Sequence, residues 1–113
     1  MVRLATPIIR GIARCIAPLV RRVQVEGLSM VPTYGPGEYV WVRRIWWPPK
    51  IGSVVATRDP EEPSREIVKR VIARRSGHVS LLGDNSEVSR DSRTYGDVPM
   101  SAVRWLVVPQ RRP

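Results

Sequence analysis

Arg65-Glu66-Ile67-Val68-Lys69-Arg70-Val71-Ile72-Ala73-Arg74-Arg75, then Ser76-Gly77, then His78-Val79-Ser80-Leu81-Leu82, is the stretch that decides the fold. Its density of β-branched residues and the Ser-Gly break read as a long strand turned back into a second one. Alternate side chains of a strand face opposite ways. Ile67, Lys69, Val71 and Ala73 therefore share one face, and Val68, Arg70, Ile72 and Arg74 the other. Working outward, Glu38 to Arg43 alternates polar and apolar residues after a Gly35-Pro36-Gly37 turn. Ser53 to Arg58 ends at Asp59-Pro60-Glu61-Glu62-Pro63, and Val103 to Val108 precedes a Pro109 to Pro113 tail. Val23-Gln24-Val25-Glu26-Gly27 is strand-like as well. About five or six short strands with few helical runs predict a mainly β domain, a compact antiparallel sheet that is folded over or partly closed.

The 113 residues have room for one domain with a modest core. Eleven prolines and eight glycines agree with a loop-rich, strand-dominated chain. Cys15, the single cysteine, excludes an intramolecular disulfide and a thiolate metal cluster, and no cofactor or metal is expected. The net charge of +9 favours anionic partners such as nucleic acid or lipid headgroups. That charge is unevenly placed: Arg3, Arg10, Arg14, Arg21 and Arg22 come first, with no acid among them.

Residues 1–22 read as a basic segment ahead of a domain over 23–113. Ile8, Ile9, Ile12, Ile16, Leu19, Val20 and Val23 approach the spacing of a helix face. Thr6-Pro7 starts such a helix well, and Pro18 ends or kinks it. Arg10 and Arg14 break up any run of the roughly 20 apolar residues that a bilayer-spanning helix needs. Three readings remain: an amphipathic helix at a membrane surface, a helix packed on its own domain, or a processed targeting segment. Ile45-Trp46-Trp47-Pro48-Pro49 fits the first, because paired tryptophans suit a water–lipid interface; they equally fit a loop that caps the core or lines a groove.

The chemistry rests on three segments. Lys69 is the only charge on its strand face, among three apolar neighbours. Serving as a base near pH 7–8 requires its pKa to fall by about 3, a penalty of about 4 kcal/mol on the charged form, which burial can supply. Ser29 lies in Gly27-Leu28-Ser29-Met30-Val31-Pro32-Thr33, where a proline-fixed bend can expose a hydroxyl and converge backbone N–H groups on one point. A serine hydroxyl needs a base to take its proton, and a neutral lysine can act in place of histidine. In the third segment, Gly83-Asp84-Asn85 makes a sharp turn. Ser89 there offers a hydroxyl to orient a lysine amine, and Asp91 and Arg93, two apart in an extended stretch, can pair. Each segment alone also reads blandly, as a snorkelling lysine, a turn serine and a polar loop.

Order and spelling together are more specific. Ser29-Met30-x-Pro32-Thr33, then Lys69-Arg70-Val71, then Gly83-Asp84-Asn85-x-x-x-Ser89-x-Asp91-Ser92-Arg93-x-x-Gly96-x-Val98-Pro99 resembles the type I signal peptidase family over about residues 25–108. The chain looks like a minimal form, similar also to the maturation proteases of nickel-type superoxide dismutases. The resemblance implies a serine endopeptidase that removes N-terminal leader peptides, with Ser29 as acyl-forming nucleophile and Lys69 as general base. It implies that Ser89 bonds the lysine amine, that Asp91 and Arg93 form a supporting salt bridge, and that the backbone N–H of Ser29 lines the oxyanion hole. Many members carry a second donor, a serine, where this chain has Gly27. Within these residues no stretch reads as the family's membrane-spanning anchor, as the large extra domain of many bacterial members or as the Pro-Gly-Asp after the lysine strand.

Three alternatives stand beside this: a self-cleaving regulatory domain of the LexA kind, a non-catalytic binding module on the same fold, and a triad of His78 with Ser29 and Asp91. No helix-turn-helix has room ahead of Ser29, so no specific nucleic acid is expected. The expected partners are a precursor polypeptide and, through residues 1–22 with Trp46 and Trp47, a membrane surface. The expected location is the plasma membrane, with the cytoplasm as alternative.

Overall fold

The computed structural model describes residues 19–109. In chain order it contains β1 (Val20–Gln24), β2 (Tyr39–Arg44), β3 (Val54–Arg58), β4 (Glu66–Arg75) and β5 (His78–Leu82). A short helix α1 (Ser92–Tyr95), β6 (Val98–Pro99), a 3-10 turn (Met100–Ala102) and β7 (Trp105–Val107) complete it. The strands form one sheet in the order β1-β2-β7-β3-β4-β5-β6, with every neighbouring pair antiparallel.

The sheet is rolled. Three strands separate β1 from β4 in the order, yet Arg21 of β1 forms an ion pair with Glu66 of β4. Alternation along the strands supplies a core on each face. One is built around Val23, Val40, Val42, Val54, Ala56 and Val107, sealed by Met30 and Tyr34 from the turn after β1. The other holds Val55, Val71, Val79, Leu81, Val98 and Val103. The expected mainly β, partly closed antiparallel domain is what the chain forms.

Several local expectations change. Residues 20–22, which fall in the expected amphipathic segment beyond Pro18, lie in β1 with the strand-like Val23, because Val20, Arg21, Arg22 and Val23 find partners in Arg43, Val42, Trp41 and Val40 of β2. Cross-strand pairing of a half-buried ribbon outweighs approximate helical spacing. The first strand thus begins inside the segment assigned to residues 1–22, and the helix expected ahead of Pro18 falls outside the described residues. In β4 the alternation holds only as far as Val71: Val71 pairs with Leu81 and Ala73 with Ser80, so Ile72 is bulged and exposed. Arg93 sits in α1 and not in an extended stretch. His78 opens β5 on the surface, opposite Arg75. Six residues of β4, about 20 Å at strand spacing, separate its partner Arg75 from Lys69.

Candidate active site

Lys69 lies on the inner part of β4 with Val55 of β3 beside it, and only 4% of the residue is exposed. Its Nζ donates to Ser89 Oγ at 2.9 Å. Burial pushes the lysine pKa down; Asp91 opposes this, while the guanidiniums of Arg90 and Arg65 add to it. An amine that donates one proton to Ser89 presents its lone pair elsewhere once it is neutral, which is the form a general base requires.

Ser29 is half-buried at the start of the turn that follows β1. The turn is held at both ends. Val31 N–H donates to the Leu28 carbonyl at 3.2 Å, and Tyr34 N–H to the Met30 carbonyl at 2.9 Å. The loop after β5 grips it from outside: Asn85 N–H donates to the Ser29 carbonyl at 2.8 Å, and Asn85 Nδ2 to the Leu28 carbonyl at 3.2 Å. Gly83 belongs to the same contact, because a Cβ there would lie 2.1 Å from Ser89 Oγ and 2.7 Å from the Ser29 carbonyl oxygen. Glycine is what lets the loop bring Ser89 and Ser29 together. Gly27, two residues before Ser29, has φ +72, a conformation that side-chain-bearing residues rarely adopt.

Asp91 is fully buried and holds the loop's other end. Its carboxylate accepts from Arg93 Nε at 3.0 Å, from Gly83 N–H at 3.1 Å and from Arg93 N–H at 3.2 Å, the last of these capping α1. Burial by itself raises this carboxyl's pKa; the Arg93 side chain, the Gly83 N–H, the Ser89 hydroxyl and the Arg93 N–H outweigh it and lower it to about 2. Ser89 thus stands between a fixed carboxylate and the lysine amine.

Two braces were not singled out by the sequence reading. Asp84 receives Arg70 through Nε at 2.8 Å and Nη2 at 2.7 Å, and also the Thr33 hydroxyl. It links the Ser29 turn, the residue after Lys69 and the Gly-Asp-Asn turn. Arg90 bonds the buried Asp59 and the exposed Glu61, joining the Ser89–Asp91 loop to the β3–β4 connection. Arg70, Thr33 and Asp84 stand inside the quoted motifs, where spelling alone gives them no role. Nothing in the order of residues joins Arg90 to Asp59.

Ser29, Gly27 and Lys69 line one cleft of about 240 Å³. Its walls are the chain from Gln24 to Ser29 and the first part of β4. β5 pairs with β4 only from Arg70 onward, so one edge of residues 66–69 has no strand beside it. Among the described residues no cluster of three metal-ligating side chains occurs, and no helix is long and apolar enough to cross a membrane.

The sequence profile of the family described as "Signal peptidase, peptidase S26" matches residues 1–76, a span that carries both Ser29 and Lys69. The chain is 31% identical over 108 residues to the mitochondrial ATP-independent inner membrane protease subunit 1b of Arabidopsis thaliana, covering 73% of this chain and 64% of that protein. It is 30% identical over 108 residues to mitochondrial inner membrane protease subunit 1 of Homo sapiens, covering 75% and 65%. The corresponding protein of Schizosaccharomyces pombe is 30% identical over 106 residues, covering 74% and 68%. The match spans just under two thirds of the length of the plant and human relatives. The chain belongs to the signal peptidase family, peptidase S26.

Proposed function

We propose that this protein is a serine endopeptidase that removes leader peptides from precursor polypeptides at a membrane surface. The observation that carries the reading is the buried lysine amine, bonded to Ser89, in the cleft that also holds Ser29. An extended substrate enters as an added strand between the chain of residues 24–28 and the unpaired edge of β4. Neutral Lys69 removes the proton from Ser29 Oγ as it attacks the scissile carbonyl. The oxyanion forms against the backbone N–H of Ser29, with the Gly27 region beside it. Collapse of the tetrahedral intermediate expels the new amino terminus, which takes the proton from Lys69. Water then enters, Lys69 accepts its proton, and the acyl ester on Ser29 is hydrolysed. Asp91, Arg93 and Ser89 hold the amine in place throughout. The exposed pair Trp46 and Trp47, with residues 1–22, provides the membrane contact.

Incubating the protein with a panel of leader-bearing precursors tests this. Wild type and His78→Ala are expected to cleave, while Ser29→Ala and Lys69→Ala fall by at least about a thousandfold. Cleavage at neutral pH that survives Lys69→Ala contradicts the dyad. A folded protein that cleaves none of the precursors favours the binding-module reading.

A further inference from the structure

Past Arg65 and Glu66, which line both, the active-site cleft adjoins a second and larger groove of about 600 Å³. Arg21, Arg58, Arg65 and Arg104 line it with Trp105, and Glu66 is its one carboxylate. Glu66 is already engaged by Arg21, whose guanidinium also stacks on Trp105, 4.4 Å from the ring centre. Arg58 donates to the Pro63 carbonyl at 3.0 Å. No ion pair among the described residues engages Arg58, Arg65 or Arg104; Asp59 and Glu61, on the adjoining loop, are held by Arg90.

A groove so charged repels the rest of its own chain. Residues 1–18 carry Arg3, Arg10 and Arg14, residues 110–113 carry Arg111 and Arg112, and neither segment contains an Asp or Glu. A second copy, at net +9, fits no better. The occupant is anionic, and continuity with the cleft favours a peptide over other polyanions.

We propose that this groove extends the substrate cleft and binds Asp or Glu side chains of the precursor. Only the placement of the scissile bond rests on the peptidase reading. Glu66 lies three residues before Lys69 on β4 and has Arg58 as its register partner; Arg65 lies one residue further. At about 3.3 Å per residue the guanidiniums engage acids about three to five residues from the bond cut. The contact fixes which stretch of the precursor occupies the cleft, through groups that touch no reacting atom.

The test measures binding, so that it does not depend on cleavage. Full-length Ser29→Ala is titrated into a fluorescein-labelled extended peptide with an Asp-Glu pair, and into its Asn-Gln counterpart. A DNA duplex and phosphatidylglycerol vesicles are titrated in parallel. The acidic peptide is expected to bind about five- to tenfold more tightly, an advantage that added salt removes. Arg58→Ser with Arg104→Ser abolishes that advantage, and Arg104→Glu transfers it to a peptide bearing Lys at the same positions. Equal affinities for the two peptides overturn the proposal. So does tighter binding of DNA or vesicles than of acidic peptide, lost in the same arginine variants. An acidic preference in a protein that cleaves nothing leaves the groove standing and removes the peptidase; cleavage without the preference does the reverse.

Discussion

Lys69 and Asp91 lie on either side of Ser89; burial works against the charge of both, and only the carboxylate has the hydrogen bonds to overcome it. The lysine loses its charge more readily, because burial disfavours the ammonium. The carboxylate keeps its charge, because the Arg93 side chain and backbone N–H groups bond it in the folded state only. A depressed carboxyl pKa stabilises the fold above the unfolded-state value and ceases to do so as pH falls towards the folded value, here between about pH 4 and pH 2. Asp91→Asn is therefore expected to lower stability by about 2 kcal/mol at pH 7. The deficit narrows as pH falls through that window. Urea unfolding at pH 7 and pH 3 measures it, and a deficit of constant size contradicts the account.

Between elements, the site depends on close approach of the loop after β5 to the turn after β1. Gly83 permits it, and Gly83→Ala is expected to cost about 1–3 kcal/mol. The variant also loses cleavage disproportionately, since Ser89 or the Ser29 backbone must move to admit the Cβ. Thermal melts with cleavage rates on the same samples check this; an active protein of unchanged melting temperature argues against it. Much of this level was legible in sequence. Strand alternation placed Lys69 with apolar neighbours, and Ser76-Gly77 turns β4 into β5 as expected. The bulge at Ile72 and the α1 turn were not legible. A bulge arises from how two strands register, and α1 from an Asp91 cap that also serves the site.

At the scale of the molecule, rolling the sheet brings β1 to β4 and so creates the cleft, its basic extension and the Arg21–Glu66 contact together. Short-range sequence patterns carry no record of this, so neither Arg90–Asp59 nor the arginine groove could be read before the fold. The Trp46-Trp47 pair was legible but its exposure was not, since a core-capping loop fitted equally well; the fold leaves both rings exposed, and their use is open to test. In vesicle flotation, Trp46→Ser with Trp47→Ser on the full chain is expected to reduce membrane binding about tenfold or more. Unchanged flotation removes that loop from the membrane contact. The account as a whole turns on a neutral lysine beside Ser29. The chain has only two lysines, Lys50 and Lys69, so a protein labelled with ¹³C-lysine gives two Cε signals, and Lys50→Arg assigns them. Followed by NMR against pH, the Lys69 signal is predicted to titrate well below the ordinary lysine range. A Lys69 signal that titrates within that range contradicts the proposed catalytic base.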